Sequence, residues 1–468
     1  MWNLNLENRI AAISDDGTAL TYLELKKEND ELYSQIGKRC LIFSLCTNTI
    51  GSLVGYTTSI NNNVVPLLLA AEIDRQLLHE LIDNYKPDFI WVPDNQSDKI
   101  EGCKPIYSRW NYSLFKTSYD SEYQLYDDLC LLLTTSGSTG SPKLVRQGYN
   151  NVLANANSIC EYLELDDTER PITTLPMNYT YGLSIINSHL LAGATILFTE
   201  HGLMQKQFWS FFKEQEATSF GGVPYTYEML DKLRFTRMDL PSLRTMTQAG
   251  GKLLPDLHKK FAEYAEKNSK RFYVMYGQCE ATARMSYLPY EKSLEKYGSM
   301  GIAIPGGKFS LIDVDGSDIK RPNITGELVY EGPNVTLGYA ECGEDLAKGD
   351  ERHGRLITGD MAECDEDGFY FIVGRKKRFL KIFGNRVNLD EIDRLIQSQF
   401  NNIECASAGV DDKMYVFVTD DSYSDEIKKF LSEKTKLNSS AFSIKKIDII
   451  PRNESGKLQY KEFVKYYD

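Results

Sequence analysis

Long apolar runs are missing from these 468 residues. The longest, such as residues 64–71, fall far short of the roughly 20 residues that a membrane-spanning helix needs, so no membrane insertion is expected. The opening MWNLNLENRI has no basic segment followed by an apolar core, so a secretory signal is not expected there. Positive charge is in deficit too. Lys and Arg number 53 against 66 Asp and Glu, a formal charge of -13, which argues against nucleic acid or an anionic membrane as main partner. Local basic patches such as residues 375–378 remain available for phosphates. The nine cysteines are an odd number with no Cys-x-x-Cys pair, and the five histidines have no metal-ligand spacing. A disulfide framework and a structural zinc site are therefore disfavoured, and a reducing, cytoplasmic compartment is expected. No Gly-x-Ser-x-Gly element supports a serine hydrolase.

What is there centres on residues 129–148, LCLLLTTSGSTGSPKLVRQG. Five apolar residues at 129–133 predict a buried strand, and a loop of small hydroxyl and glycine residues follows. Gly137 and Gly140 let backbone N–H groups turn inward, while Thr135, Ser136, Ser138 and Thr139 add donors. Lys143 adds a mobile point charge for phosphate oxygens. The loop lacks the Gly-Lys-Ser/Thr of a Walker A element, because Pro142 precedes Lys143 and Leu144 follows it, and ordinary P-loop ATPase chemistry is disfavoured. Taken alone, such a stretch is also compatible with a Ser- and Gly-rich surface loop.

A chain of this length exceeds what one core usually supports, so at least two domains are expected. Strand-like and helix-like runs alternate from the start, with strands predicted at 39–45 and 89–92 and helices at 73–85 and 150–162. This is an α/β pattern. After GRKKR at 374–378 it changes to a compact α+β module. Strands are predicted at 379–383, 403–410, 414–419 and 442–450, and helices at 388–400 and 424–434, the first capped by Asn388 with Glu391 three residues on.

TSGSTGSPK resembles the phosphate loop of the adenylate-forming superfamily, which includes acyl- and aryl-CoA ligases, luciferases and the adenylation domains of peptide synthetases. Further motifs extend the resemblance over most of the chain. LTYLEL at 20–25 is similar to the family's opening helix, and GELVYEGPNVTLGY at 326–339 to one of its framework motifs. The resemblance implies a large N-terminal α/β domain with several sheets at 1–373, a hinge at 374–378 and a small mobile C-terminal α+β domain at 379–468. It also implies roles for residues. Thr135 to Gly140 and Lys143 would cradle the phosphates of ATP, joined on the nucleotide side by Gly250, Gly251 and Lys252 of QAGGKL. In YGQCEAT, Tyr276, Gly277, Gln278 and Cys279 would lie against the nucleotide, and Glu280 would hold Mg²⁺. Cys279 stands where the family commonly has Thr. Asp360 of LITGDM and Arg375 would fix the ribose end, and Lys457 of PRNESGKLQY would be the catalytic lysine of the second domain, completing a site shared with Lys143. The hinge position, often Asp or Lys in the family, is Arg378.

The carboxylate pocket would be lined by Tyr179 and Tyr181 of LPMNYTYGLS, by Gly222, Val223 and Tyr225 of FGGVPY, and by Gly250. No acidic residue occurs between positions 175 and 198, where amino-acid-activating relatives carry an Asp for the substrate ammonium, so a plain carboxylic acid is expected. Singly, several of these residues admit plainer parts: the two tyrosines as core, Gly250-Gly251 as a turn, Asp360 as a turn cap, Lys457 as an exposed hairpin lysine. Together they imply an enzyme that joins a small carboxylic acid to AMP with release of pyrophosphate and passes it to CoA. A carrier-protein phosphopantetheine or an amine is the alternative acceptor, and a non-catalytic nucleotide sensor the alternative of another class.

Overall fold

The computed structural model describes residues 8–134, 143–313, 315–383, 385–400, 403–452 and 458–467. The chain divides into two compact units, Met1–Phe309 with Tyr330–Leu356, and Ser310–Val329 with Ile357–Asp468. The predicted hinge at 374–378 lies within the second. No helix among the described residues is long and apolar enough to cross a membrane.

In the first unit, Leu41–Cys46 is buried at every position, as a strand covered on both faces must be. It pairs in parallel with Val65–Ala70 and Phe89–Pro93, and Val65–Ala70 pairs in parallel with Leu129–Thr134. Parallel neighbours need a crossover, and Ile50–Asn61 and Arg75–Tyr85 are helices that supply it. Leu144–Gly148 returns antiparallel beside Leu129–Thr134, and Gly338–Ala340 pairs with it in turn, within an eight-stranded sheet. The phosphate-loop segment thus joins two strands of one sheet.

A five-stranded sheet begins with Ser219–Gly222, Thr245–Gln248 and Arg271–Tyr276, all parallel, with Gly222 opposite Gln248 and Gln248 opposite Val274. These strands end side by side. Three of the segments singled out from sequence, 220–225, 248–252 and 276–280, therefore meet at one carboxyl edge, where α/β sheets commonly bind ligands.

Most boundaries lie within two residues of expectation, and the differences have local causes. The predicted strand at 39–45 begins at Leu41, because Arg39 donates its guanidinium to the carbonyls of Asn63, Tyr126 and Leu129. The helix predicted from 73 begins at Arg75, since Asp74 caps it by accepting from Leu77 N at 3.0 Å. The first two residues of the expected helix over 20–25 are strand. Ala19–Thr21 pairs with Ile10–Ser14, and Thr21 then caps the helix Tyr22–Ile36 in a reciprocal box with Glu24.

The second unit holds most of a four-stranded sheet of Lys308–Ile312, Gly326–Glu331, Arg355–Cys364 and Tyr370–Arg375. A hairpin, Phe379–Ile382 with Asn385–Asn388, leads to the helix Leu389–Gln399. Asn388 caps that helix by accepting from Asp390 N at 3.0 Å. Cys405–Val410, Lys413–Val418 and Phe442–Lys446 form a three-stranded sheet, the last two parallel and joined through the helix Ser424–Thr435. Ile392, Ile396, Val416, Val418, Ile427 and Leu431 fill the core between. The strand predicted over 442–450 stops at Lys446.

Candidate active site

Glu280 lies on the single 3-10 turn Cys279–Ala281 that follows the strand Arg271–Tyr276. The backbone crosses itself closely here. A Cβ on Gly277 would lie 1.6 Å from the Ala283 carbonyl oxygen, so only glycine fits. Oε1 of Glu280 accepts from the Tyr339 hydroxyl at 2.8 Å. Its carbonyl accepts from Thr336 N at 3.1 Å, Thr336 Oγ1 at 2.9 Å and an Arg352 guanidinium nitrogen at 2.9 Å. These bonds fix the residue's backbone.

Lys143 begins the descent into Leu144–Gly148, and its Nζ stands 4.1 Å from the centre of the Tyr339 ring and 3.0 Å from Glu341 Oε1. The Arg352 guanidinium carbon is 4.6 Å from the same ring centre. Two cations and one carboxylate therefore share a single tyrosine. Burial first, and then the Glu280 charge, push the Tyr339 phenol up to about 12, so it is a permanent donor at neutral pH.

The Glu280 carboxylate forms no ion pair with any cation among the described residues, and those residues contain no cluster of three or more His, Cys, Asp or Glu fit to enclose a metal. One carboxylate with a free oxygen suits a hard cation that takes its remaining ligands from phosphate and water, which is how Mg²⁺ is usually held beside nucleotides. The residues present fit that ion. Nearby, Gln278 Nε2 donates to the Tyr276 hydroxyl at 3.1 Å, and Cys279 packs half-buried against the core.

On the acyl side, Tyr179 stands at the N-terminus of the helix Thr180–Ala192 with its hydroxyl over Gly250. A Cβ at Gly250 would lie 2.5 Å from that hydroxyl and 3.1 Å from Val223 Cγ1, and the glycine's φ is +84°. Tyr179, Val223 and Gly250 are thus brought together. Tyr181 is buried, its hydroxyl 2.7 Å from Thr247 Oγ1, and it packs over Gly221. Gly222 backs onto Thr226. Buried Gln248 ties the following turn by donating to the Gly251 carbonyl at 2.9 Å, while Gly251 and Lys252 are exposed. Tyr225, 58% exposed on the first turn of Pro224–Lys232, is not drawn into this group.

In the second unit Asp360 and Arg375 face each other across the antiparallel pair Arg355–Cys364 and Tyr370–Arg375, with Nε to Oδ1 at 3.8 Å. Asp360 is buried and Arg375 exposed. The basic run beyond is not a solvated turn throughout. Arg378 is buried, donating Nε to Asp390 Oδ1 at 2.8 Å, one terminal nitrogen to Asp393 Oδ2 at 2.9 Å and the other to the Ser407 carbonyl, with its guanidinium 4.0 Å from the Tyr460 ring centre. Thr135, Ser136, Gly137, Ser138, Thr139, Gly140 and Lys457 lie outside the described residues.

Sequence reasoning missed Tyr339 and Arg352. Tyr339 sat inside a motif read as framework, and Arg352 belonged to no motif. Positions 143, 280, 339 and 352 carry no mutual spacing that a linear pattern would register.

The family model of AMP-binding enzymes matches residues 58–340, more than half of the chain, and the protein belongs to that family. It is 30% identical over 346 residues to a 2-succinylbenzoate–CoA ligase of Bacillus licheniformis, covering 71% of this chain and 69% of that one. It is 29% identical over 354 residues to the peroxisomal OPC-8:0-CoA ligase 1 of Arabidopsis thaliana, covering 72% of this chain but only 64% of that protein's length. Among solved structures, the O-succinylbenzoate coenzyme A synthetase of Bacillus subtilis in complex with AMP superposes with a TM-score of 0.78 at 21% identity, over 97% of this chain and 95% of the other. Its complex with ATP and magnesium ion gives 0.75 at 20% identity, over 97% and 96%. At that identity the likeness establishes the fold: the large N-terminal and small C-terminal domain architecture of adenylate-forming enzymes.

Proposed function

We propose that the protein activates a carboxylic acid with ATP, giving acyl-AMP and pyrophosphate, and transfers the acyl group to the thiol of CoA. The observation that carries this reading is the convergence on Tyr339 of Lys143, Arg352 and the Glu280 carboxylate, which ion-pairs with no cation among the described residues, an arrangement of the kind a metal triphosphate requires. The relatives' names as CoA ligases, and the neighbour's complexes with AMP and with ATP and magnesium ion, support it.

The acid's carboxylate oxygen attacks the α-phosphorus, the bond to the bridging oxygen breaks, and pyrophosphate leaves with the electron pair. Thr135 to Gly140 and Lys143 hold the leaving pyrophosphate, with Gly250, Gly251, Lys252 and residues 276–279 on the nucleotide side. Glu280 would hold Mg²⁺, which when bound would supply neutralisation of the triphosphate charge. Asp360 and Arg375 bind the ribose end, and Lys457 offsets the charge that grows on the α-phosphate. A thiolate then attacks the acyl carbon, the carbon–oxygen bond breaks and AMP departs. The segment 374–378 is the proposed pivot between the two half-reactions.

Tyr179, Tyr181, Gly222, Val223 and Gly250 line the proposed acyl pocket, and the exposed Tyr225 is left outside it. With no acidic anchor for an ammonium between positions 175 and 198, acids without an α-amino group are the preferred class. We also place the protein in the cytoplasm, in keeping with nine free cysteines. Pyrophosphate release on mixing with ATP and a panel of acids tests the reading, followed by an acceptor screen of CoA, phosphopantetheinyl carrier protein and amines. Acid-dependent release is expected. Nucleotide binding without release under any acid would replace the enzyme with a nucleotide sensor.

A further inference from the structure

Opposite charges close together normally pair, yet Glu280 ion-pairs with neither of the two cations that share its tyrosine among the described residues. Lys143 Nζ and the Arg352 guanidinium both lie against the Tyr339 ring, at 4.1 and 4.6 Å from its centre, and Glu280 is bonded to the hydroxyl of that same residue at 2.8 Å. Lys143 instead pairs outward with Glu341, at 3.0 Å. Arg352 donates only to neutral oxygens, the Glu280 carbonyl and Thr336 Oγ1 at 2.9 and 3.2 Å, and ion-pairs with no carboxylate among the described residues.

We propose that Tyr339 is a positioning residue that acts as a charge spacer. Its ring gives Lys143 and Arg352 a resting place apart from Glu280, with Arg352 uncancelled and Lys143 tied only to the exposed Glu341 carboxylate, which phosphate oxygens can displace, and its hydroxyl gives Glu280 a neutral donor that leaves the carboxylate available to a metal ion. Arg352 is on this account a second phosphate-facing cation beside Lys143. A cation held over an aromatic face is attracted without being neutralised. A carboxylate that accepts from a phenol keeps its full negative charge, whereas one captured by Lys or Arg would cancel both partners. Neighbouring backbone reinforces the arrangement. Arg352 and Thr336 hold the Glu280 carbonyl, and Gly338, at φ +137°, has Glu351 Oε2 2.4 Å from where its Cβ would be, so Tyr339 follows a residue that must be glycine.

The inference rests on reading this as a triphosphate site, and the test separates the two. Inorganic pyrophosphate is titrated calorimetrically, in EDTA, into the full chain as wild type, Tyr339→Leu and Tyr339→Leu/Glu280→Gln. With the spacer gone, Glu280 collapses onto Lys143 or Arg352, and pyrophosphate binding weakens about tenfold. Glu280→Gln in the same chain restores it to within about twofold of wild type, because a neutral amide cannot cancel either cation. A double variant as weak as Tyr339→Leu overturns the spacer by making the loss structural, and so does wild-type binding by Tyr339→Leu. Failure of the wild type to bind pyrophosphate sinks the triphosphate reading itself. Tyr339→Phe keeps the ring and serves where the leucine variant does not fold. It should retain pyrophosphate binding yet bind Mn²⁺ with ATP, read by electron paramagnetic resonance, about 10–100-fold more weakly. Unchanged Mn²⁺ binding there contradicts the role of the hydroxyl.

Discussion

The hydroxyl of Tyr339 donates to Oε1 of Glu280 at 2.8 Å, and no lysine or arginine among the described residues ion-pairs with that carboxylate. Glu280 is therefore bonded but uncancelled. Its replacement by Gln should leave the fold intact and raise the Mg²⁺ concentration needed for half-maximal pyrophosphate release by about 10–100-fold. A magnesium titration of wild type and variant checks this, and superimposable curves would remove Glu280 from the metal.

Gly250 combines a φ of +84° with a Tyr179 hydroxyl 2.5 Å from where a Cβ would lie. Gly250→Ala should strain the turn by about 1–2 kcal/mol and push Tyr179 aside. Because the disturbance falls on the acyl side, the KM for the acid should rise much more than that for ATP. Equal increases in both would place the turn outside the acyl pocket.

Arg378 is buried between Asp390, Asp393 and Tyr460, so Arg378→Ala would leave two carboxylates without their cation. Removing one partner of a buried ion pair typically costs about 3–5 kcal/mol. Hydrogen exchange in the helix Leu389–Gln399 should accelerate in this variant and recover in part when Asp393 is also changed to Asn. Wild-type protection would show that the clamp does not stabilise the second unit.

Two histidines give the first unit a dependence on acidity. Burial holds His189 and His258 down to about 4, against 6.5 for a free imidazole. His258 accepts from Gly298 N through Nδ1 and lies 3.0 Å from Ser293 Oγ through Nε2, and Nε2 of His189 has no partner. A second proton would face the Gly298 N–H at His258 and find no acceptor at His189 Nε2 among the described residues. Between the two values the unfolded chain binds the protons, so stability is complete above about 6.5 and falls by about 1.4 kcal/mol per pH unit per histidine on acidification. Urea midpoints measured from pH 7.5 to 5 should decline, and His258→Gln should flatten the decline. Parallel slopes would contradict this.

The fold could be read from sequence wherever burial writes a local pattern. The run at 129–133 announces its strand, and the apolar face of 392, 395, 396 and 400 announces its helix, because each depends on neighbours along the chain. Element starts were less accessible. Arg39 and Asp74 set them through hydrogen bonds to groups that no periodicity predicts. In the site, Lys143, Glu280, Gly250 and Tyr179 stood out through motif resemblance. Tyr339 and Arg352 did not, because what they do depends on two cations and a carboxylate arriving from distant parts of the chain. Motif resemblance puts Arg378 at the hinge position but is silent on its burial, which is set by Asp390 and Asp393 on a helix that follows.

The central claim is that a carboxylate oxygen of the acid becomes bonded to the α-phosphorus of ATP. Supplying the acid with both carboxylate oxygens as ¹⁸O, together with ATP and CoA, and analysing the nucleotide by mass spectrometry tests this directly. The account predicts AMP carrying one ¹⁸O atom per turnover, because the oxygen that attacked phosphorus leaves with AMP when the thiol attacks the acyl carbon. ADP with ¹⁸O in inorganic phosphate, or AMP without label, would contradict it.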